Sequence, residues 1–201
     1  MERKAIDWLH MALNAEQPSI YFEKEKNNEF LKENFPELVA LIDVPQNPQF
    51  HPEGDVWIHT MMVLDQGAKL KSKAQYPFYY MVSALVHDYG KATKTTIDET
   101  GRIRSIGHEF ELQLIKKALV RMTVDEKMNE YVLNMVKLHM RPNALFYLGG
   151  KEKAYRKLFS EALFPEDLLL LAKADHLGRK DCSSYEEIET CLWANWNRIK
   201  E

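Results

Sequence analysis

The stretch Tyr80-Met-Val-Ser-Ala-Leu-Val-His-Asp-Tyr-Gly-Lys91 decides the fold of this chain. Its first part is apolar on nearly every face of a helix, and such a helix is buried. Gly90 is a typical residue at a helix end, so the helix is predicted to stop near it. His87 and Asp88 then lie at the end of a buried helix, where they are costly to bury unless paired or bound to a metal. The stretch therefore predicts a helical core with a polar cavity at one end.

Helical periodicity recurs along much of the remaining sequence. Apolar residues at i, i+3, i+4, i+7 and i+8 predict a helix that ends in a histidine; they are Met128, Tyr131, Val132, Met135 and Val136, followed by His139. A second stripe, Leu168, Leu171 and Ala172, is continued by Asp175. A histidine and a carboxylate that extend apolar helix faces are therefore directed toward the core.

Helix starts are also indicated by the sequence. Thr123 with Glu126 predicts a capping box, and Ser184 with Glu187 predicts the start of a last helix. Pro165 suits the first position of the helix that carries Asp175. Asp55 is interpreted as the N-cap of the helix that contains His59. These signals divide the chain into helices joined by polar loops.

The predicted fold class is all-α, a single helical bundle domain. The best candidate for strands is a short hairpin around Lys94–Ser105, with its turn at Asp98–Gly101. Residues 1–45 are predicted to form a helical extension packed on the same domain, and residues 46–201 to form the bundle.

The composition of the chain limits the classes of function that it can have. The 201 residues include 27 Lys and Arg against 30 Asp and Glu, a net charge of −3, which argues against a duplex-DNA binder. No apolar stretch reaches the length of a membrane span, and no secretory signal is visible, so a cytoplasmic location is predicted. Cys182 and Cys191 are interpreted as core thiols of a reduced compartment. The expected oligomeric state is a monomer or a homodimer.

Imidazole and carboxylate groups at helix faces and ends form a candidate metal site. Its six members are His59, His87, Asp88, His108, His139 and Asp175. Such donors suit Fe, Mn, Co, Ni or Zn, with Mg as a further candidate, whereas a calcium cage would be richer in oxygen.

The order of these motifs resembles the HD superfamily of metal-dependent phosphohydrolases, with His87-Asp-Tyr-Gly-Lys91 as the central signature. The segments Asn47-Pro-Gln-Phe-His-Pro-Glu-Gly-Asp-Val-Trp-Ile-His-Thr60, Gly107-His-Glu109 and Ala174-Asp-His-Leu-Gly-Arg179 are similar to the HD domain of bacterial tRNA nucleotidyltransferases, the CCA-adding enzymes. The Gly-Ser motif and paired aspartates of the nucleotidyltransferase head are not found. A free-standing HD-type bundle is therefore expected, and nucleotide addition is not inherited.

The resemblance implies a ligand set. His59, His87, Asp88 and Asp175 would hold a first ion, and Asp88 would bridge to a second one. The second ion would be held by Asp88 with His108 and His139. A site with a single ion is the alternative.

The resemblance further implies an enzyme in which water activated by the metal attacks a phosphate ester. Lys91 is predicted to neutralise a phosphate, unless it is a surface lysine. Arg179 is predicted to grip a phosphate, or else to pair with nearby carboxylates. His51 and Glu53 are expected at the cavity mouth as substrate-binding residues.

Three functions remain open from the sequence. The first is hydrolysis of a nucleotide or RNA-end phosphate, as a 2′,3′-cyclic phosphodiesterase or phosphatase. The second is hydrolysis of nucleoside mono- or triphosphates at the same site. The third is a metal-holding module that binds RNA or a partner with little turnover.

Overall fold

The structure is a computed structural model, which describes residues 3–122 and 125–201. Thirteen α-helices are found within these residues. In chain order they are α1 (Arg3–Asn14), α2 (Ser19–Glu25), α3 (Glu29–Asn34), α4 (Pro36–Val39), α5 (Val56–Leu70), α6 (Pro77–Val86), α7 (Lys91–Lys94), α8 (Leu112–Met122), α9 (Glu126–Leu138), α10 (Arg141–Tyr147), α11 (Glu152–Glu161), α12 (Pro165–Leu177) and α13 (Glu186–Lys200). Short 3₁₀ turns span Lys71–Lys73 and His108–Phe110. The predicted predominance of helix is confirmed.

The predicted hairpin is confirmed as a small antiparallel ribbon. Strand β1 (Thr96–Ile97) pairs with β2 (Ile103–Arg104). The carboxylate of Asp98 accepts hydrogen bonds from the backbone N–H of Thr100 and Arg102. The turn ends at Gly101, whose φ of 78° lies in the left-handed region that favours glycine.

Helix α6 lies at the centre of the bundle, as its sequence predicts. Every residue from 80 to 86 is buried, because α6 is packed against α1, α5, α9 and α12. Helix α12 packs along α5, and their close contact includes Gly178, at the end of α12. A Cβ atom there would lie 2.5 Å from Cγ2 of Val63. This approach brings the C-terminal end of α12 beside the start of α5.

The N-terminal helices pack onto the same core. Helix α1 contacts α5 and α6, and α2 contacts α5. The Trp8 ring meets Phe22 and Phe30 edge-on, at 5.2 and 5.1 Å between ring centroids. Nζ of Lys71 donates to carbonyl oxygens at the C-terminal end of α1, those of Leu13, Asn14 and Ala15. The division of the chain at residue 45 stays a prediction.

Helix caps differ in part from the sequence predictions. Asp55 caps α5 as predicted, since its Oδ1 accepts from the Ile58 N–H at 2.9 Å. Helix α9 is capped by Asp125, while Thr123 of the predicted capping box lies outside the described residues. Ser184 accepts from the N–H of Glu186, and the N-cap position of α13 belongs to Tyr185.

Two further sequence expectations concern the thiols and the membrane. Cys182 is exposed and Cys191 is half-buried, so the prediction of two core thiols is wrong for Cys182, which lies in the loop after α12. Among residues 3–122 and 125–201, no helix has both the length and the apolar character required to cross a bilayer.

Candidate metal centre

The six side chains predicted as metal ligands lie together at one end of the bundle. They come from the first turn of α5, the residues just after α6 and α9, the 3₁₀ turn before α8 and the last turn of α12. In chain order they are His59, His87, Asp88, His108, His139 and Asp175. All six are buried. Residues that are distant in sequence thus share one site because the helix ends converge there.

The carboxylate of Asp88 lies between two pairs of histidines. Its Oδ2 is 3.2 Å from Nε2 of His87 and 3.7 Å from Nε2 of His59. Its Oδ1 is 3.1 Å from Nε2 of His108 and 3.8 Å from Nε2 of His139. The two oxygens of one carboxylate therefore face two different sides of the site.

Two donor groups can be defined on these two sides. The first donor group comprises His59, His87 and Asp175, and the second comprises Asp88, His108 and His139; within each, the donor atoms lie within 4.8 Å of one another. Oδ1 of Asp175 is 3.1 Å from Nε2 of His59. Groups of few protein donors leave coordination positions open, as in catalytic rather than structural metal sites.

Backbone carbonyls orient three of the histidines in the same way. Nδ1 of His87, His108 and His139 each lies near the carbonyl oxygen three residues earlier. These oxygens belong to Ala84, Ser105 and Val136, at 2.9, 2.8 and 2.7 Å. Because a carbonyl oxygen only accepts, each Nδ1 carries the hydrogen. A neutral ring of this tautomer presents the lone pair of Nε2 to the site.

The same three Nε2 atoms are unsatisfied. Among the described residues, Nε2 of His87, His108 and His139 finds no hydrogen-bond partner, although each atom is enclosed. A buried acceptor without a partner is costly, and a metal ion would satisfy it. The buried His and Asp donors therefore fit one or two divalent transition-metal ions.

Both carboxylates of the site are held in the ionised form. Burial acts to raise the pKa of Asp88, but the neighbouring His87 and Lys91 outweigh it and hold that pKa well below its ordinary value. Burial is likewise outweighed at Asp175, where the hydrogen bond with His59 lowers the pKa. Two negative charges are thus available to a cation.

The imidazoles of the site differ in the direction in which their surroundings shift the pKa. Burial lowers the pKa of His139 to about 3, so this ring is neutral. Burial also acts to lower the pKa values of His59 and His108, but the neighbouring carboxylates of Asp175 and Asp88 outweigh it and raise both. A metal ion at these nitrogen atoms competes with protons for them, so metal binding to the site depends on pH.

Lys91 is buried against the centre and is not a surface lysine. Its Nζ lies 2.7 Å from Oδ2 of Asp88 and donates to Oε1 of Gln46 at 2.7 Å. Gln46 is buried as well and was not identified from the sequence, where its position just before the Asn47 motif is the only signal.

Arg179 follows helix α12 rather than continuing it. The helix ends at Leu177, so Asp175 lies on it and Arg179 does not. The guanidinium nevertheless reaches Oδ2 of Asp175 at 3.8 Å and lines the cavity described below.

Glu53 lies behind His59, away from the cavity. Its Oε1 accepts hydrogen bonds from Nδ1 of His51 at 2.8 Å and from Nδ1 of His59 at 3.0 Å, and its side chain is 1% exposed. Burial acts to raise the pKa of Glu53, but these two hydrogen bonds lower it. His51 does line the cavity, and burial lowers its pKa to about 4. The pair thus divides: His51 faces the cavity, while Glu53 orients His59.

Gly90 links the two sides of the site by close approach. The helix that precedes it ends at Val86, near Gly90 as predicted, and the φ of Gly90, −61°, is ordinary for a helix. A Cβ atom at this position would lie 2.1 Å from the carbonyl oxygen of His108. Glycine is therefore required for the turn at His108 to pack against the residues after Asp88.

A cavity of about 760 Å³ opens onto Asp88, His108, His139 and Asp175. This volume suits a small-molecule ligand. Its rim includes residues that the sequence analysis missed, among them Phe50, Arg102, Arg104, Ile106 and Tyr147. The hairpin supplies the two arginines, and only its alternation of charged and apolar residues could have indicated a surface role.

His176 stands apart from the two donor groups. Its Nε2 lies 3.0 Å from the carbonyl oxygen of Ser183. Glu109 lies beside the site, with Oε2 3.6 Å from Nδ1 of His108. Trp196 packs against Phe159 at 5.1 Å between ring centroids.

Fold and site together define an all-α protein with a buried His/Asp cluster suited to metal ions. The chain is similar to proteins named Multifunctional CCA protein. It is 32% identical to the one from Vibrio parahaemolyticus over 187 residues, 89% of this chain and 43% of that protein. It is 34% identical to the one from Shewanella frigidimarina over 190 residues, 90% and 44% of the two chains. No protein-family profile matches the chain.

The relative from Hahella chejuensis is 33% identical over 177 residues, 84% of this chain and 39% of that protein. The chain therefore spans about two fifths of the length of these curated relatives. The similarity agrees with the resemblance to CCA-adding enzymes that the sequence motifs indicated.

Proposed function

We propose that the protein is a metal-dependent phosphohydrolase that cleaves a phosphate ester of a nucleotide or an RNA end. The observation that carries this proposal is the position of Asp88, with one oxygen toward His59 and His87 and the other toward His108 and His139. A carboxylate between two pairs of histidine Nε2 atoms is suited to bridge two cations. The site borders a cavity large enough for a nucleotide.

The proposed ligands follow the two donor groups. His59, His87 and Asp175, with Oδ2 of Asp88, would hold one ion, and Oδ1 of Asp88 with His108 and His139 would hold the other. When bound, divalent cations would lower the pKa of water and offset the negative charge of a phosphate. The mixture of imidazole and carboxylate donors favours Fe, Mn, Co, Ni or Zn.

Two cationic side chains of the cavity would receive the phosphate. Nζ of Lys91 is held between Asp88 and Gln46, so little reorganisation is required for it to donate to a phosphate oxygen. The guanidinium of Arg179 is anchored loosely on Asp175 and can donate to an oxygen in the cavity. His51, neutral and hydrogen-bonded through Nδ1 to Glu53, presents its other nitrogen as a proton acceptor.

The relatives support an RNA-related substrate. Their name, Multifunctional CCA protein, belongs to the class that the sequence motifs resemble. A 2′,3′-cyclic phosphodiester or a terminal phosphomonoester is the proposed substrate, and nucleotide addition is not proposed.

The test is hydrolysis of 2′,3′-cyclic AMP with Mn²⁺, Co²⁺ or Ni²⁺ supplied in turn, with Asp88→Asn assayed in parallel. Asp98→Asn is the matched control, because its carboxylate lies in the exposed hairpin turn. Metal-dependent turnover that is lost in Asp88→Asn and kept in Asp98→Asn supports the proposal.

The opposite results have defined meanings. Turnover of nucleoside mono- or triphosphates with none of the cyclic ester would redirect the proposal to a nucleotidase. If folded, metal-loaded protein hydrolyses none of these esters but binds RNA, the proposal of a hydrolase would be replaced by that of an RNA-binding module.

A further inference from the structure

Exposed apolar side chains are concentrated at the mouth of the cavity. Phe50 is 55% exposed, Ile106 78%, Met140 42% and Tyr147 59%, and all four line the cavity. Single exposed apolar residues are normal, but a group around a concave site marks a ligand-binding surface. The mouth therefore differs in chemistry from the ionic floor formed by the donor groups.

Phe50 is held in a defined position despite its exposure. The backbone N–H groups of Phe50 and His51 both donate to the carbonyl oxygen of Asn47, at 3.1 and 2.9 Å, and Oδ1 of Asn47 accepts from the N–H of Gln49 at 3.0 Å. The next side chain, His51, is tied to Glu53. The backbone that carries the ring is thus already ordered, so a ligand that packs against the ring does not have to order this turn.

The floor and the mouth together specify the occupant. Lys91 and Arg179 offer positive charge beside the donor groups, and Arg102 and Arg104 add charge at the rim. A ligand that complements this arrangement carries a phosphate at one end and a flat, largely apolar ring at the other.

We infer that the cavity mouth binds the base of a nucleoside phosphate by stacking on Phe50, a specificity that rests on the proposed function. The base packs on the exposed ring while the phosphate lies over the donor groups. Aromatic stacking tolerates different bases because each has a π-face. Phe50 is thus assigned as a positioning residue that favours nucleotides over other phosphate esters.

The experiment measures binding, not turnover. Equilibrium titrations of the Mn²⁺-loaded protein use a non-cleavable phosphonate analogue of adenosine 5′-monophosphate and its ribose counterpart, which lacks the base. The variants are Phe50→Ala and Phe50→Trp. Phe110→Ala is the control, because Phe110 is 61% exposed and does not line the cavity.

Wild-type protein is expected to bind the adenosine analogue more tightly than the ribose analogue. Phe50→Ala should weaken the binding of the adenosine analogue by roughly five- to tenfold, the lower range for base stacking. The affinity for the ribose analogue should not change. Phe50→Trp should retain the preference, and Phe110→Ala should behave as wild type.

Three outcomes would overturn the inference. The wild type could bind both analogues with equal affinity, Phe50→Ala could lose the same affinity for both, or neither analogue could bind. The proposed function fails separately. If binding depends on the base but no phosphate ester is hydrolysed, the stacking site is supported and the proposed hydrolase activity is rejected. If phosphate esters are hydrolysed but binding shows no preference for the base, the hydrolase activity is supported and the stacking site is rejected.

Discussion

Nζ of Lys91 and Oδ2 of Asp88 form a buried ion pair, 2.7 Å apart, at the point where the two donor groups meet. The carboxylate is thereby neutralised in part even without a cation. The same pair connects the helix turn after α6 with Gln46, which holds the other side of the Lys91 ammonium. Lys91 therefore has a role in the metal-free fold as well as the role proposed in phosphate binding.

The first prediction concerns Lys91→Met. Removal of the ammonium takes from the buried carboxylate of Asp88 the cation closest to it, so the metal-free variant should be less stable by about 3 kcal/mol. Added Mn²⁺ should reverse much of this loss, because the cation takes over the compensation. Hydrolysis should fall by about 10²- to 10³-fold even at saturating metal.

Denaturant unfolding with and without chelator measures this effect. Lys94→Met is the control, since Lys94 forms a partly exposed ion pair with Glu111 and its loss should change stability by less than about 1 kcal/mol. Equal stabilities of the two metal-free variants would contradict the role of Lys91.

The second prediction concerns the number of ions. His139→Asn should reduce the metal content from two ions per chain to one, because the second donor group loses a ligand while the first is intact. Metal analysis after gel filtration measures the content, and circular dichroism checks the fold. His10→Asn is the control, since His10 stacks on Phe78 at 3.8 Å, outside both donor groups. An unchanged stoichiometry in His139→Asn would reduce the site to a single ion.

The third prediction concerns the hydrogen bond between Glu53 and His59. Glu53→Gln removes the charge that orients the ring through Nδ1, and metal affinity should fall by about 10- to 100-fold. Competitive titration with a metal-sensitive dye measures the dissociation constant. Asp55→Asn removes a nearby carboxylate but retains the cap of α5, because asparagine caps as well as aspartate. If Asp55→Asn weakened metal binding as much as Glu53→Gln, orientation by Glu53 would be ruled out.

The fourth prediction concerns Gly90→Ala. The new methyl group would meet the carbonyl oxygen of His108 at 2.1 Å, so the turn at His108 must move and the second donor group should lose its ion. The strain should lower stability by about 1–3 kcal/mol.

Gly101→Ala is the control for this effect. Gly101 has a φ of 78° with open space around it, so alanine is strained there by about 1–2 kcal/mol without contact with the site. Loss of metal in both variants, or in neither, would contradict the specific effect of Gly90.

The predicted helices follow from local pattern. The apolar run before His87 and the stripe that ends at His139 are confirmed as α6 and α9, because amphipathic or apolar periodicity is a property of neighbouring residues. Helix ends depend more on packing. Helix α12 ends at Leu177, and the next residue, Gly178, lies in tight contact with Val63 of α5.

Site residues divide in the same way. Four of the six ligand candidates, His87, Asp88, His139 and Asp175, could be identified from residue type and position on helix faces or ends. The other two, His59 and His108, were identified by the resemblance of their motifs. Gln46 and Phe50 could not, because nothing local in the sequence distinguishes a loop residue at a cavity from one in solvent. The inward direction of Glu53, toward His59, likewise depends on how the loop before α5 packs.

Sequence by itself determined that the protein is predominantly helical and which His and Asp side chains are unusual for their surroundings, because helix periodicity and burial cost act over a few residues. The position of Asp88 between two pairs of histidines, and the burial of Lys91 beside it, could be known from the three-dimensional structure alone. Those relations depend on helix ends brought together from distant parts of the chain, and their distances are set by packing at contacts such as that of Gly90 with His108.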